Sequence, residues 1–243
     1  MQNILMNNDT LLMLTQRLIE QLQESSPQKM EGIFVTACPD VDLFYQTCGQ
    51  NHRPTLYTPG FVFLFSGEKS AQLGAKHYVY NPEQGLLLTG VYPVYCDATA
   101  SEEEPLIGVQ IRFDRLQVAQ LLHELSHHAE KSNTSKLASV SNSKLATKPN
   151  GFLAVAITPA IQAALFGLLN TLDDTIACEL FIQTYIRNLI YAALEQPDVR
   201  LFIEGWIAQD GRYTQFLKAT DYILSHLASP ISLEEIALQA GMS

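Results

Sequence analysis

Thr55-Leu56-Tyr57-Thr58-Pro59-Gly60-Phe61-Val62-Phe63-Leu64-Phe65-Ser66-Gly67-Glu68-Lys69 reads as a strand held between two turns. Pro59-Gly60 and Gly67 supply the turn chemistry. Between them Phe61, Phe63 and Phe65 alternate with Val62 and Leu64, so one set faces an interior and the other packs outward. Working outward, short runs rich in β-branched and aromatic residues recur at 33–37, 72–73, 78–80, 86–88, 94–95 and 107–113. Asn81-Pro82 and Val91-Tyr92-Pro93 separate some of them. Many short strands divided by Gly/Pro turns predict a β-sandwich or barrel.

The flanks are helical. Asn8-Asp9-Thr10 is a plausible N-cap before Leu11, Leu14, Leu18 and Leu22, and the pattern ends at Ser25-Ser26-Pro27. After Asp114 the spacing of Leu116, Val118, Leu121, Leu122 and Leu125 predicts another helix. Residues 132–150 are rich in Ser, Asn, Thr and Lys and read as a mobile loop. An apolar run at 152–157 precedes helical patterns at 159–172, 176–194 and 213–227. Near the end, Ser232 with Glu235 three residues on makes a capping box, and Gly241 stands where the helix would turn. The fold class is α+β. The expected organisation is an N-terminal helix over 1–31, a barrel with its following helix over 32–130 and a flexible loop over 131–150. A helical dimerisation or linker region over 151–210 and a further helical unit over 211–243 complete it.

At 243 residues and 47% hydrophobic composition the chain has ample material for a packed core. No apolar run is long enough to span a bilayer, and Met1-Gln2-Asn3-Ile4-Leu5 lacks a basic export signal, which places the protein in the cytoplasm and off the membrane. Cys38, Cys48, Cys96 and Cys178 are scattered, without a C-x-x-C pair, and read as reduced thiols. Lys and Arg number 15 against 25 Asp and Glu, so the net charge is −10. A free-standing DNA binder normally carries a basic face, because phosphate neutralisation supplies most of its affinity. Either nucleic acid is not the partner, or the basic part lies outside this chain.

His123-Glu124-Leu125-Ser126-His127 matches H-E-x-x-H, which on a helix puts two imidazoles on one face for zinc and a Glu beside a bound water. No third ligand follows at metzincin spacing, since Glu130 and Asn133 stand there. A zinc peptidase on His123, Glu124 and His127 is therefore the alternative, and a solvated helix end the preferred reading. His52 and His77, the histidines of the strand region, do not form the H-x-H pair of a catalytic cupin, and no nucleophile elbow, phosphate loop or dinucleotide fingerprint occurs. The chain reads as a non-enzyme with no cofactor.

The C-terminal text is more specific. Ala219, Tyr222, Ile223 and His226 form "A-x-x-Y-I-x-x-H", and Pro230-Ile231-Ser232-Leu233-Glu234-Glu235-Ile236-Ala237 leads to Ala240-Gly241-Met242-Ser243. This closely resembles the opening of the AraC-type DNA-binding domain, with Ser232, Ala237 and Gly241 as the scaffold of a first helix-turn-helix. Upstream, Tyr57, Pro59, Gly67 and Lys69, then Gly74, Tyr78-Val79-Tyr80 and Tyr92-Pro93, are similar to the N-terminal domain of the same family. The resemblance implies a cupin-like β-barrel that senses a small-molecule effector, followed by helices leading into an incomplete helix-turn-helix over 211–243. It also implies a homodimer and, in the complete protein, operator DNA as partner, with the recognition helix expected beyond Ser243. A small-molecule-binding cupin with no DNA role is the further alternative. Candidate ligand-binding residues are Phe63, Tyr78, Tyr80 and Tyr95, with barrel core and surface as their plainer reading. The apolar pattern over 176–194 suits a dimer contact or burial on the barrel.

Overall fold

The structure, a computed structural model, describes residues 7–132, 151–208 and 230–242, with Gln215, Ala219, Tyr222, Ile223, Leu224, His226 and Leu227. For His127 and residues 129–132 it describes only the backbone. Helix α1 (Asn8–Ser25) is followed by nine strands: β1 (Gly32–Val35), β2 (Val41–Gln46), β3 (Gln50–Tyr57), β4 (Gly60–Ser66), β5 (Glu68–Leu73), β6 (Lys76–Tyr80), β7 (Gln84–Leu88), β8 (Tyr92–Thr99) and β9 (Leu106–Arg112). Then come α2 (Arg115–Ser132), β10 (Phe152–Ala156), α3 (Pro159–Thr171), α4 (Thr175–Leu194), α5 (Pro197–Ala208) and α6 (Leu233–Ala240). No helix among the described residues is long and apolar enough to cross a membrane.

The strands form two antiparallel sheets, a six-stranded one in the order β1-β2-β9-β4-β7-β10 and a four-stranded one in the order β3-β8-β5-β6. The expected sandwich is thus present, and its sixth large-sheet strand, β10, pairs with β7 from beyond the 133–150 segment. The expected loop there lies outside the described residues.

The alternation inside β4 fixes the layering. Phe61, Phe63 and Phe65 join a core with α1, α3, α4 and α5 on the outer face of the large sheet. Val62 and Leu64 face the other way, packing with Ala71, Tyr80, Val94 and Cys96 between the sheets. Gly60, at φ +154, opens β4 where any side chain would strike the backbone of Ile111 on β9, so only glycine fits this close approach. The molecule has three layers: helices, six-stranded sheet, four-stranded sheet.

The N-cap of α1 is Asn7, one residue before the expected Asn8-Asp9-Thr10, which lie inside the helix. The Asn7 side chain caps α1 and Thr158 caps α3, with Pro159 at its first position. Asp174 accepts from the Ile176 and Ala177 N–H groups at the start of α4. In α6 the capping box is complete: Ser232 Oγ accepts from the Glu235 N–H at 3.1 Å and the Glu235 carboxylate from the Ser232 N–H at 2.9 Å. Gly241 then ends the helix at φ +67, as expected of a left-handed cap.

The cysteine reading needs correction. Cys38 and Cys178, 140 residues apart, are joined as a disulfide with Cα atoms 6.1 Å apart. Cys48 and Cys96 are free. Sequence spacing could not show this pairing, because folding alone brings the β1–β2 turn onto α4.

Candidate functional site

The two sheets part at one side, where the edge strands β1 and β3 belong to different sheets. The opening is a cleft of about 410 Å³, the size of a small-molecule site. The pleat decides what it displays. On β2, Asp42, Phe44 and Gln46 stand two apart and share a face, as do Arg53, Thr55 and Tyr57 on β3. Val62 of β4, Lys69 of β5 and Gln110 of β9 close the inner side, and Lys29 and Ile33 lie at the β1 rim. Just outside the cleft, β3 carries an irregularity between Gln50 and Arg53. There His52, at φ 50, stacks on Tyr95 and donates its backbone N–H to Asp97.

Lys69 sits at the inner wall. Its ammonium lies 5.9 Å from the Phe44 ring centre and 5.5 Å from that of Tyr57, within cation–π range of both. No carboxylate is bonded to it among the described residues. Burial pushes its pKa below the ordinary lysine value, with the Cys96 sulfur opposing that effect and the Arg53 charge adding to it. The one acid lining the cleft, Asp42, is held by the Arg112 guanidinium at 2.5 Å. Lys69 inside, with the exposed Arg53 and Lys29 at the rim, lines the cleft with three cations against one paired acid, in a chain whose net charge is −10. A cleft with low-dielectric walls and one sign of charge concentrates ligands of the other sign.

Behind Lys69 lies a buried polar pair. The Tyr57 and Tyr80 hydroxyls hydrogen-bond to each other, and the Cys96 thiol contacts Tyr57 at 3.8 Å. Burial raises the pKa of both tyrosines well above the ordinary value, with Cys96 adding to it at Tyr57 and the neighbouring Tyr57 adding to it at Tyr80. Both remain protonated donors across the physiological range.

The four expected ligand residues are dispersed. Phe63 is fully buried in the helix-side core, on the opposite face of β4 from the cleft. Tyr95 points to solvent because β8 alternates, with Val94 and Cys96 inward. Tyr78 packs edge-on against Phe152 inside the sandwich. Tyr80 reaches the cleft only through its bond to Tyr57. Sequence reasoning passed over Tyr57, Phe44 and Lys69, which line the cleft. The signal was there in Lys69, a cation on an inward-facing strand position next to the Gly67 turn.

The H-E-x-x-H segment lies on α2, where Glu124 is engaged by Arg187 of α4 and both side chains are about half exposed. His123 and His128 are exposed, and the side chain of His127 lies outside the described residues. Among the described residues no group of His, Cys, Asp or Glu is arranged to hold a metal ion.

Comparison with known proteins agrees with this architecture. The family described as "AraC-type transcriptional regulator N-terminus" matches residues 37–200. No curated protein matches the chain's sequence. Among solved structures, a ligand-free single-residue variant of ToxT from Vibrio cholerae is similar with a TM-score of 0.54 at 11% identity, over 84% of this chain and 71% of that one. ToxT from Vibrio cholerae bound to (E)-4-(8-methylnaphthalen-1-yl)but-3-enoic acid is similar with a TM-score of 0.53 at 12% identity, over the same 84% and 71%. At such identities the likeness establishes the fold.

Proposed function

This chain belongs to the AraC-type transcriptional regulators by virtue of their N-terminal domain, and on that premise we propose that it senses a small organic anion in the cleft between its sheets. The family's members are regulators rather than enzymes, and the zinc-peptidase and DNA-free cupin alternatives are not favoured. The observation that carries the ligand reading is Lys69, an inward-facing ammonium between two aromatic rings with no carboxylate partner among the described residues. An ammonium so placed is poorly hydrated, and a ligand carboxylate restores the interaction it lacks. The apolar body of such a ligand fits along Phe44, Tyr57 and Val62. ToxT's bound ligand is itself a carboxylic acid on an aromatic body, which supports the same chemistry here.

The output of sensing is the placement of DNA-binding units. Ser232, Ala237 and Gly241 belong to a helix-turn-helix that engages operator DNA in the cytoplasm. Dimerisation falls to α4, where Ile176, Leu180 and Phe181 are 69%, 66% and 51% exposed. A patch of that kind on a helix otherwise buried against α3 suits a second copy of the chain.

Isothermal titration calorimetry with naphthyl- and alkyl-carboxylates tests the reading. Wild type is expected to bind one carboxylate per chain, and Lys69→Met to lose about tenfold or more in affinity, the worth of a charge-assisted hydrogen bond. Equal affinity in both proteins would show that Lys69 does not hold the ligand.

A further inference from the structure

Cys38 and Cys178 bridge the two parts of the molecule that sensing has to couple, and neither the cleft nor the helix-turn-helix uses them. Cys38 lies in the turn between β1 and β2, and Cys178 in the first turn of α4. Both residues are buried.

On the barrel side the turn is held firmly. Thr36 Oγ1 accepts from the Cys38 N–H at 3.1 Å and donates to the Val41 carbonyl at 2.7 Å. The Arg112 guanidinium donates to the carbonyl of Pro39 and to Asp42, and the Arg112 N–H donates to the Asp40 carbonyl at 2.7 Å. Directly after the turn, β2 presents Asp42, Phe44 and Gln46 to the cleft. On the helix side, beyond the sulfurs, the one hydrogen bond between turn and α4 among the described residues is Gln183 Nε2 donating to Asp40 at 2.8 Å. The covalent and hydrogen-bonded links between turn and α4 among the described residues are therefore one disulfide and one surface hydrogen bond, beside the apolar packing of Phe34, Val41 and Ile182 in the shared core. Leu180 and Phe181, two of the exposed apolar residues of α4, follow within a turn of Cys178.

We propose that Cys38 and Cys178 are a redox-controlled staple between the cleft wall and helix α4, closed by a peroxide-class oxidant and opened by low-molecular-weight thiols. The proposal stands independently of which ligand the cleft takes. In closure, one thiolate attacks a peroxide oxygen, the O–O bond breaks, and a sulfenic acid and hydroxide form. The second thiolate then displaces hydroxide from the sulfenic sulfur, and the S–S bond forms. The two sulfurs lose two electrons to the peroxide, and the two thiol protons leave in two molecules of water. Opening is the reverse in electrons: two external thiols are oxidised to their disulfide by exchange, and Cys38 and Cys178 recover their protons. In a reducing compartment a disulfide of this kind is transient and sensing rather than permanent.

Peptide mapping after alkylation, together with amide hydrogen exchange on the intact chain, tests this. Stoichiometric hydrogen peroxide is expected to yield a Cys38–Cys178 linked peptide, and dithiothreitol to remove it. On reduction, exchange across residues 36–42 and 175–183 is expected to accelerate about tenfold or more, because local opening of both segments loses its covalent tie. The Cys38→Ala/Cys178→Ala double variant is expected to exchange like reduced wild type and to ignore peroxide. Failure of the linked peptide to form would overturn the pairing. Unchanged exchange between oxidised and reduced wild type, which needs no variant to fold, would overturn the staple. A peroxide response that survives in the double variant would move the redox chemistry to Cys48 or Cys96 and overturn the assignment.

Discussion

Lys69 and Phe63 stand six residues apart in the stretch that set the fold, and the pleat sends them to different places. Phe63 packs under the helices, so Phe63→Ala is expected to cost about 3–5 kcal/mol of stability by chemical denaturation, as a large buried side chain does. Lys69 faces the cleft, and its substitution is expected to act on binding instead. The sign of its pH dependence follows from the lowered pKa. A bound carboxylate favours the charged ammonium, so affinity holds at neutral pH and declines as pH rises through a pKa below the ordinary 10.5. In Lys69→Arg the charge persists at alkaline pH. Calorimetry across that range is therefore expected to show an early decline in wild type and none in the arginine variant. Phe63 did not announce its face in the sequence, because β4 is apolar at every position from 61 to 65 and both sets are buried. The choice between the faces is made by what lies above each, namely helices on one and the small sheet on the other.

Among the elements, those with strong local signals were legible. The runs at 61–65, 86–88 and 107–113 became β4, β7 and β9, and the patterns at 159–172 and 176–194 became α3 and α4. Strands β2 and β3 were missed, though they form much of the cleft. β3, Gln50–Tyr57, is an edge strand of mostly exposed polar residues with Pro54 inside it, and such edges carry no apolar alternation. Helix α5 was also missed, although Pro197 at its start and the spacing of Val199, Ile203 and Trp206 marked it. The capping box of α6 was read directly, because its partners lie three residues apart. Ser232→Ala is expected to weaken α6 by about 1 kcal/mol, seen as faster exchange of the first-turn amides. On α4, Leu180→Glu with Phe181→Glu is expected to lower the oligomer mass by analytical ultracentrifugation while leaving the circular dichroism unchanged. A mass that does not move would take dimerisation away from this face.

Over the whole molecule, composition and structure describe a single charge economy. The chain as a whole carries a net charge of −10, while three cations and one paired acid line the cleft, so a small anion is favoured there. The family was legible from the C-terminal text and from the turn-strand-turn stretch around Gly60 and Gly67. The cleft was not, because it gathers side chains from β2, β3, β4, β5 and β9, between Asp42 and Gln110, that only folding brings together. The disulfide was hidden for the same reason. Chemical-shift mapping of the isotope-labelled chain, titrated with a naphthyl-alkenoate, tests the sensing claim most directly. The expected result is that shifts concentrate on β2, β3 and β5 around Phe44, Tyr57 and Lys69. Shifts confined to the helices, with those strands silent, would contradict it.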